Sequence, residues 1–206
     1  MESQQTLPEK SGVADNPIAY VIGGGPSLKG FDFEGLRGRP CFAANKGAFF
    51  TPWGFLISMD RDFCANYEKE IAEFSDRAFL APPAPYIGKI PDARYFVRSK
   101  GGELFGPPEA LPGLSSGFTA FAVAARHGFK RIALMGIDMI PKQGHFHDGY
   151  AHLPPGVDGI NKQWIRAFDE SAKECEKHGI EVRNFSPYSA VTGFPRHDRE
   201  DVWKWV

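Results

Sequence analysis

The feature that most constrains the fold is a repeated pairing. Short apolar runs end abruptly on glycine or a small polar residue, and amphipathic segments separate them. Ile18–Ile22 (IAYVI) runs straight into Gly23-Gly24-Gly25-Pro26-Ser27, and Arg131–Met135 (RIALM) into Gly136-Ile137-Asp138. Runs this short and this apolar read as strands buried on both faces, the signature of parallel sheets. Cys41–Ala44, Phe55–Ser58, Arg77–Leu80, Arg94–Val97 and Ile180–Asn184 are further strands on the same reading. Between them, Phe63–Phe74, the segment FTAFAVAARHGF after Ser115-Ser116-Gly117, and Asn161–His178 show helical spacing. Alternating strands and helices predict an α/β fold, a three-layer sandwich around a mainly parallel sheet.

Length and composition narrow this further. At roughly 150 residues per domain, 206 residues predict one α/β domain over 18–206 behind a flexible tail at 1–17. Hydrophobic residues make up 42 % and charged residues 24 %, which excludes disorder, collagen and coiled coil. The net charge of −1 gives no global attraction to nucleic acid or anionic membrane. The start lacks an apolar leader and no apolar stretch is long enough to span a bilayer, so a cytoplasmic location is expected. Cys41, Cys64 and Cys175 are odd in number and lack CxxC spacing, which points to reduced thiols rather than a disulfide scaffold or a zinc knuckle. Proline and glycine mark 81–91 as an irregular loop and Ser99–Pro112 as a mobile one. The closing WKW reads as a short strand with Trp203 and Trp205 on one side, a surface available for self-association.

Open parallel sheets bind ligands at the carboxyl ends of their strands, so the residues just after each run carry the functional expectations. Gly23, Gly24 and Gly25 allow close backbone approach, and their N–H groups could face a phosphate or ribose; Ser27 could cap the next turn of chain. The turn is neither GxGxxG nor a P-loop. A tight structural turn is the equal alternative. Asn45 and Asp60 follow the second and third strands and suit hydrogen bonds to a base or ribose, a water-mediated metal at Asp60, or simple capping. Ser115 reads as a helix cap. Ser116, Gly117 and Thr119 read either as the rest of that helix start or as a phosphate site at its positive end. Asp138 is a catalytic, metal-binding or turn residue. His145 and His147 lie two apart and share a face if extended. They could act as general bases, bind a transition metal with Asp148 or His152, or belong to a solvated loop. Arg94, Arg98 and Lys100 form either an exposed polar face or a contact for a phosphorylated substrate.

The stretches VIGGGPSLKGFDFEGL, FAANKGAFF, SMDRDF and SSGFTAFAVAARHGFKRIALMGIDM together resemble two related families over about residues 18–190. One is the bacterial sialyltransferase family of Campylobacter-type enzymes. The other is the MptE-like family, which includes archaeal 6-hydroxymethylpterin pyrophosphokinases. The resemblance implies a Rossmann-like domain of the GT-A type holding a nucleotide-linked donor. By the sialyltransferase pattern, Gly24, Gly25, Asn45, Asp60, Ser116 and Gly117 would hold CMP. Gly24 and Asp60 stand where that family has asparagine. Gly159 stands where it has its general-base histidine, and Ile140 and Phe146 fall near its two phosphate-assisting tyrosines, so its sialyl-transfer machinery is not carried over. By the pyrophosphokinase pattern, Asp60 and Asp138 would hold Mg²⁺ with ATP.

Three functions are therefore expected as alternatives. The first is a nucleotide-sugar-dependent, glycosyltransferase-like transferase with His145, His147 or Asp138 as base and no resident cofactor or metal. The second is a Mg²⁺-dependent pyrophosphokinase. The third is a non-catalytic nucleotide-binding protein. The first two need a small-molecule nucleotide and an acceptor that the residues do not name.

Overall fold

The computed structural model describes residues 17–81, 88–140, 144–147 and 157–205. Nine strands are named here β1 (Ile18–Ile22), β2 (Cys41–Ala44), β3 (Phe55–Ser58), β4 (Ala78–Leu80), β5 (Arg94–Tyr95), β6 (Val97–Ser99), β7 (Ala110–Pro112), β8 (Arg131–Met135) and β9 (Glu181–Asn184). The α-helices are α1 (Arg61–Asn66), α2 (Glu68–Ala72), α3 (Ser116–Arg126) and α4 (Val157–Lys177). Seven strands form one sheet in the order β5-β4-β3-β2-β1-β8-β9, and every ladder in it is parallel. The chain builds outward from β1 to β5, returns through α3 to lay β8 on the other side of β1, and ends at β9. The point where strand order reverses lies between β1 and β8.

This arrangement is compatible with a Rossmann-like fold. The strands are apolar throughout because both sheet faces are covered. One face packs under α3 and α4, with Phe118, Phe121 and Phe168 among its fully buried rings. The other packs under α1, α2 and several short 3-10 turns, with Leu28, Phe63, Ile71, Val202 and Trp205 buried there. No helix among the described residues is long and apolar enough to cross a membrane. All three cysteines are buried and unbridged, and burial pushes their thiols up, Cys41 and Cys175 to about 12 and Cys64 to about 11.

The helix ends follow local chemistry. Ser115 accepts the Phe118 N–H at 3.2 Å and so caps α3. Gly128 leaves that helix at φ +84°. After α4, Gly179 turns at φ +62°, the Ile180 N–H reaches Cys175 O at 2.8 Å and the Gly179 N–H reaches Glu176 O at 3.1 Å. That pair of bonds is a Schellman closure. α4 begins at Val157, four residues before the periodic segment expected from Asn161.

Four expectations need correction. The expected helix Phe63–Phe74 is two short helices broken at Tyr67, whose ring packs on Phe49 and Phe63 at 5.6 and 5.1 Å between centroids. The expected strand Arg94–Val97 divides at Phe96, where the chain passes from the main sheet (Phe96 N–H to Leu80 O, 2.8 Å) to a separate parallel pair, β6 with β7. The tail is not a strand. Arg199–Lys204 forms a 3-10 turn, Trp203 stacks on Phe31 at 5.4 Å, and Trp205 is buried between Arg131 and Arg183. The tryptophans expected to offer a self-association surface are thus used within the chain. The segment from Ser99 to Pro112 is anchored rather than loose. Leu104 and Leu111 are buried, and the Arg126 guanidinium donates to the carbonyls of Leu104, Pro107 and Ala110 at 2.7, 3.3 and 2.5 Å. Glu174 meets the same segment from α4, accepting from the Leu104 and Phe105 N–H groups at 3.2 and 3.4 Å. Residues 1–16 of the tail expected at 1–17 and residues 82–87 of the irregular loop expected at 81–91 lie outside the described residues.

Replacing Arg126 by alanine leaves three carbonyls without their cation. The expected loss is about 2–4 kcal/mol, read by urea unfolding, with faster proteolytic cleavage between Gly101 and Pro112. An unchanged cleavage rate there would show that the guanidinium does not hold the segment.

Candidate functional site

The carboxyl ends of β1 and β8 meet at the reversal point, and the glycine turn closes onto its neighbour. The Gly23 N–H donates to Met135 O at 2.7 Å and the Gly25 N–H to Gly136 O at 2.8 Å. The Ser27 N–H and hydroxyl both donate to Asp138, at 2.7 Å to Oδ2 and 2.6 Å to Oδ1. Glycine is required because the backbones touch. A Cβ on Gly23 would stand 2.3 Å from Gly136 O, and one on Gly25 would stand 2.4 Å from Asp138 Oδ2. This corrects the expectation that the turn offers its amides to a phosphate, since the donors of Gly23, Gly25 and Ser27 are consumed inside the fold.

Asp138 is corrected with them. It is 3 % exposed, and both its oxygens hold Ser27. Its neighbourhood is tied down by the segment just after β9 as well. The Ile137 N–H donates to Ser186 Oγ at 3.2 Å, Ser189 Oγ donates to Ile137 O at 2.6 Å, and the Ala190 N–H donates to Asp138 O at 2.8 Å. A carboxylate so enclosed is a clamp on the turn rather than a base open to substrate. Ser186 and Ser189 went unnoticed in the sequence. Their only signal was two serines just beyond a strand, in NFSPYS.

On the other side of the turn, Gly24 behaves differently. Its carbonyl accepts the Phe146 N–H at 3.1 Å and faces His145 Nδ1 at 3.1 Å. A carbonyl only accepts, so this contact places the proton on Nδ1 and makes Nε2 the basic nitrogen. The His145 ring lies so close that a Cβ on Gly24 would sit 2.5 Å from Nδ1. Burial holds the imidazole below its ordinary 6.5, against the opposing pull of the Gly24 hydrogen bond. The His147 ring lies parallel to it, 5.3 Å away and tilted by 9°, and Phe50 continues the stack at 6.3 Å from His147. Asp148 and His152, the partners expected for a metal held by these histidines, lie outside the described residues. Among the described residues no three His, Cys, Asp or Glu side chains converge as metal ligands.

The remaining expected residues stand at the ends of β2, β3 and α3. Asn45 turns the chain at φ +50°, and its Oδ1 is buried without a hydrogen-bond partner among the described residues. Asp60 caps α1, its Oδ1 accepting from the Asp62 and Phe63 N–H groups at 2.8 and 3.1 Å. Ser116 Oγ accepts the Met59 N–H at 3.1 Å, which fastens the start of α3 to the end of β3. Arg98 crosses the same strand ends, donating to Ala81 O at 2.5 Å and to Met59 O, with Asp60 acting on its charge. Among the described residues, the N–H groups of Gly24, Ser116 and Gly117 make no hydrogen bond. Thr119 leaves the set. It is fully buried, and its hydroxyl lies 2.9 Å from both Pro112 O and Ser115 O.

The glycine turn and the Ser116-Gly117 helix start are neighbours, but no open hollow joins them at Gly23. Ile137, 1 % exposed, packs its Cδ1 against both. A Cβ on Gly23 would lie 2.7 Å from that methyl and one on Gly117 3.2 Å from it. A surface groove of about 420 Å³ runs along α4 between Lys162, Ile165, Arg166, Asp169, Glu170 and Lys173, and no strand-end residue lines it. Compared with family models, curated proteins and solved structures, the chain matches none.

If Asp138 is a clamp, Asp138→Ala costs stability first. The expected loss is about 2–4 kcal/mol by denaturant unfolding, from two orphaned donors on Ser27. A variant as stable as the wild type would return Asp138 to the list of catalytic candidates.

Proposed function

We propose that this chain is a nucleotide-sugar-dependent transferase of the glycosyltransferase-like kind, built on a GT-A-type domain. The observation that carries the reading is the contact between His145 and the Gly24 carbonyl. It gives the imidazole a defined tautomer, while burial lowers its basicity, and it seats the ring on the strand end where parallel sheets take their ligands. Bare amides at Gly24, Ser116 and Gly117 supply the complementary half, donors for an anionic leaving group at the start of a helix. The unpartnered Asn45 oxygen is an acceptor for a base or ribose donor. The resemblance of the glycine turn and of the Ser-Gly helix start to nucleotide-binding families points the same way.

In this reading the acceptor hydroxyl gives its proton to His145 Nε2. The oxygen so freed attacks the anomeric carbon of the donor, and the bond from that carbon to the phosphate oxygen breaks. The departing nucleotide carries the electron pair, stabilised by the α3 amides and the positive end of the helix. His147, stacked parallel on His145, limits how that ring can turn. A non-catalytic nucleotide-binding role is the second reading, favoured by Gly159, Ile140 and Phe146 standing at or near the places where the sialyltransferase pattern has its base histidine and two tyrosines. The pyrophosphokinase reading is weaker, because Asp138 has both oxygens on Ser27 and Asp60 caps α1.

Thermal-shift titrations with CMP, UDP, GDP and ATP, with Mg²⁺ or EDTA, separate the kinase from the other two, which turnover then separates. Metal-independent stabilisation by CMP, UDP or GDP is expected; stabilisation by ATP only with Mg²⁺ would favour the kinase, and no response to any nucleotide would remove all three. Ser116→Asp keeps an acceptor for the Met59 N–H and suits a helix start, so the fold should stand while nucleotide affinity falls at least about tenfold. Unchanged affinity would remove the anion site from α3. His145→Gln should lose turnover with affinity retained. Because His145 acts neutral and burial lowers its pKa, the acid limb of kcat/KM should lie below pH 6.5. An acid limb that persists in His145→Gln would assign the base elsewhere.

A further inference from the structure

The far end of α3 carries a second histidine that none of these readings uses. His127 directly follows Arg126, and its ring stands among three phenyl rings from three adjacent strands. The centroids are 5.3 Å from Phe42 of β2, 5.5 Å from Phe55 of β3 and 5.8 Å from Phe79 of β4. Phe42 and Phe55 stack at 4.9 Å, and Phe55 meets Phe79 at 5.6 Å, so the rings form a continuous aromatic floor. His127 Nδ1 lies 2.8 Å from Val123 O, which places the proton on that nitrogen. Nε2 is buried and has no partner among the described residues.

The neutral ring tolerates this seat at the cost of one unused lone pair. The protonated ring would not. It would gain an N–H at Nε2 with no acceptor in reach, and a charge in a phenyl cage. The faces of phenyl rings attract a cation, but here that attraction must replace the hydration that the buried Nε2 lacks. The charged surroundings add to the penalty. β2, β3 and β4 present only rings. From β5, the Arg94 guanidinium lies 5.4 Å over Phe79 and pairs with Asp76 at 3.7 Å. On α3 itself, Arg126 points to the carbonyls of the 104–110 segment. Neither contributes a carboxylate to the cage.

We propose that His127 is an acid-sensitive latch: neutral, it fastens the carboxyl end of α3 to the sheet, and protonated, it releases that end. Burial, with Arg94 adding to it, holds the imidazole below its ordinary 6.5, while the Val123 hydrogen bond opposes them. In the unfolded chain the same group takes up its proton near 6.5. The latch is therefore fully closed above that pH. Its contribution is lost as pH falls from 6.5 toward the folded-state value, at no more than a tenfold rise in the unfolding constant per pH unit, the limit for one proton. α3 also begins at Ser116, so the element released in acid is the one that carries the proposed anion site at its other end. The latch itself does not depend on that site.

Side-chain NMR titration of the histidines in the whole chain reads the latch directly, with hydrogen exchange of the Val123–Gly128 amides followed from pH 7.5 to 5. A His127 midpoint below 6.5, with these amides opening as it is approached, is the expected result. A midpoint at or above 6.5, or protection unchanged through it, overturns the proposal. His127→Phe keeps a ring in the cage and removes the proton, and His127→Gln removes both. Each should show a flatter dependence of unfolding on pH than the wild type, by up to tenfold per pH unit. Identical slopes in wild type and in the variants overturn the latch, and if neither variant folds, the wild-type titration and exchange decide alone.

Discussion

Everything at the upper edge of the sheet depends on how two parallel strand exits are joined. β1 and β8 leave the sheet side by side, and their backbones come close enough that only glycine fits at 23 and 25. Ladder-like bonds continue past the last strand residues, and the Asp138 carboxylate then takes both donors of Ser27. A buried carboxylate needs such partners to remain charged at low cost. The result is a rigid seam at the point where strand order reverses. In open α/β sheets that point is usually the mouth of the ligand crevice. Here the Asp138 clamp and the Ile137 side chain fill that point, and unused polar groups remain beside it at Gly24, Asn45, Ser116 and Gly117.

Much of the architecture was legible in the residues. Runs such as IAYVI and RIALM are apolar on both faces, and only a strand covered on both sides wants that pattern. Ser115 before an alanine-rich run and Gly128 after it marked α3 to within a residue of its observed start. The failures have physical reasons. Tyr67 has helical spacing, yet aromatic packing around Phe49 takes it out of the helical conformation. Glycine and proline made the segment before α3 look loose, because nothing local reveals that Arg126 will reach its carbonyls from elsewhere.

The site was less legible than the fold for the same reason. That glycines let backbones approach was foreseeable; which backbone would approach was not. Sequence allowed a phosphate at the turn, and the partner at Gly23 and Gly25 is the chain's own Gly136–Asp138. Ile137 gave no sign that it would fill the space between Gly23 and Gly117, since any apolar residue after a strand reads as core. His145 and His147 stood out by composition alone. The carbonyl that orients His145 belongs to Gly24, more than a hundred residues away.

That same long separation governs how the chain is made. Of the strands in the sheet, β1 leaves the ribosome first, and it ends in the interior of the sheet, with Ile18 paired to Arg131. While β2 to β5 emerge, a half-sheet can assemble on one side of it, but its other edge must wait for β8. Until then the nascent chain exposes an apolar strand with open backbone donors and acceptors, the kind of edge that recruits foreign strands. The polar, tightly bonded turn after β1 blunts one end of that edge only once Asp138 has been synthesised. Folding of the whole sheet thus waits for β8 and β9 to be made, and chaperone demand should peak before α3 and β8 are clear of the exit tunnel.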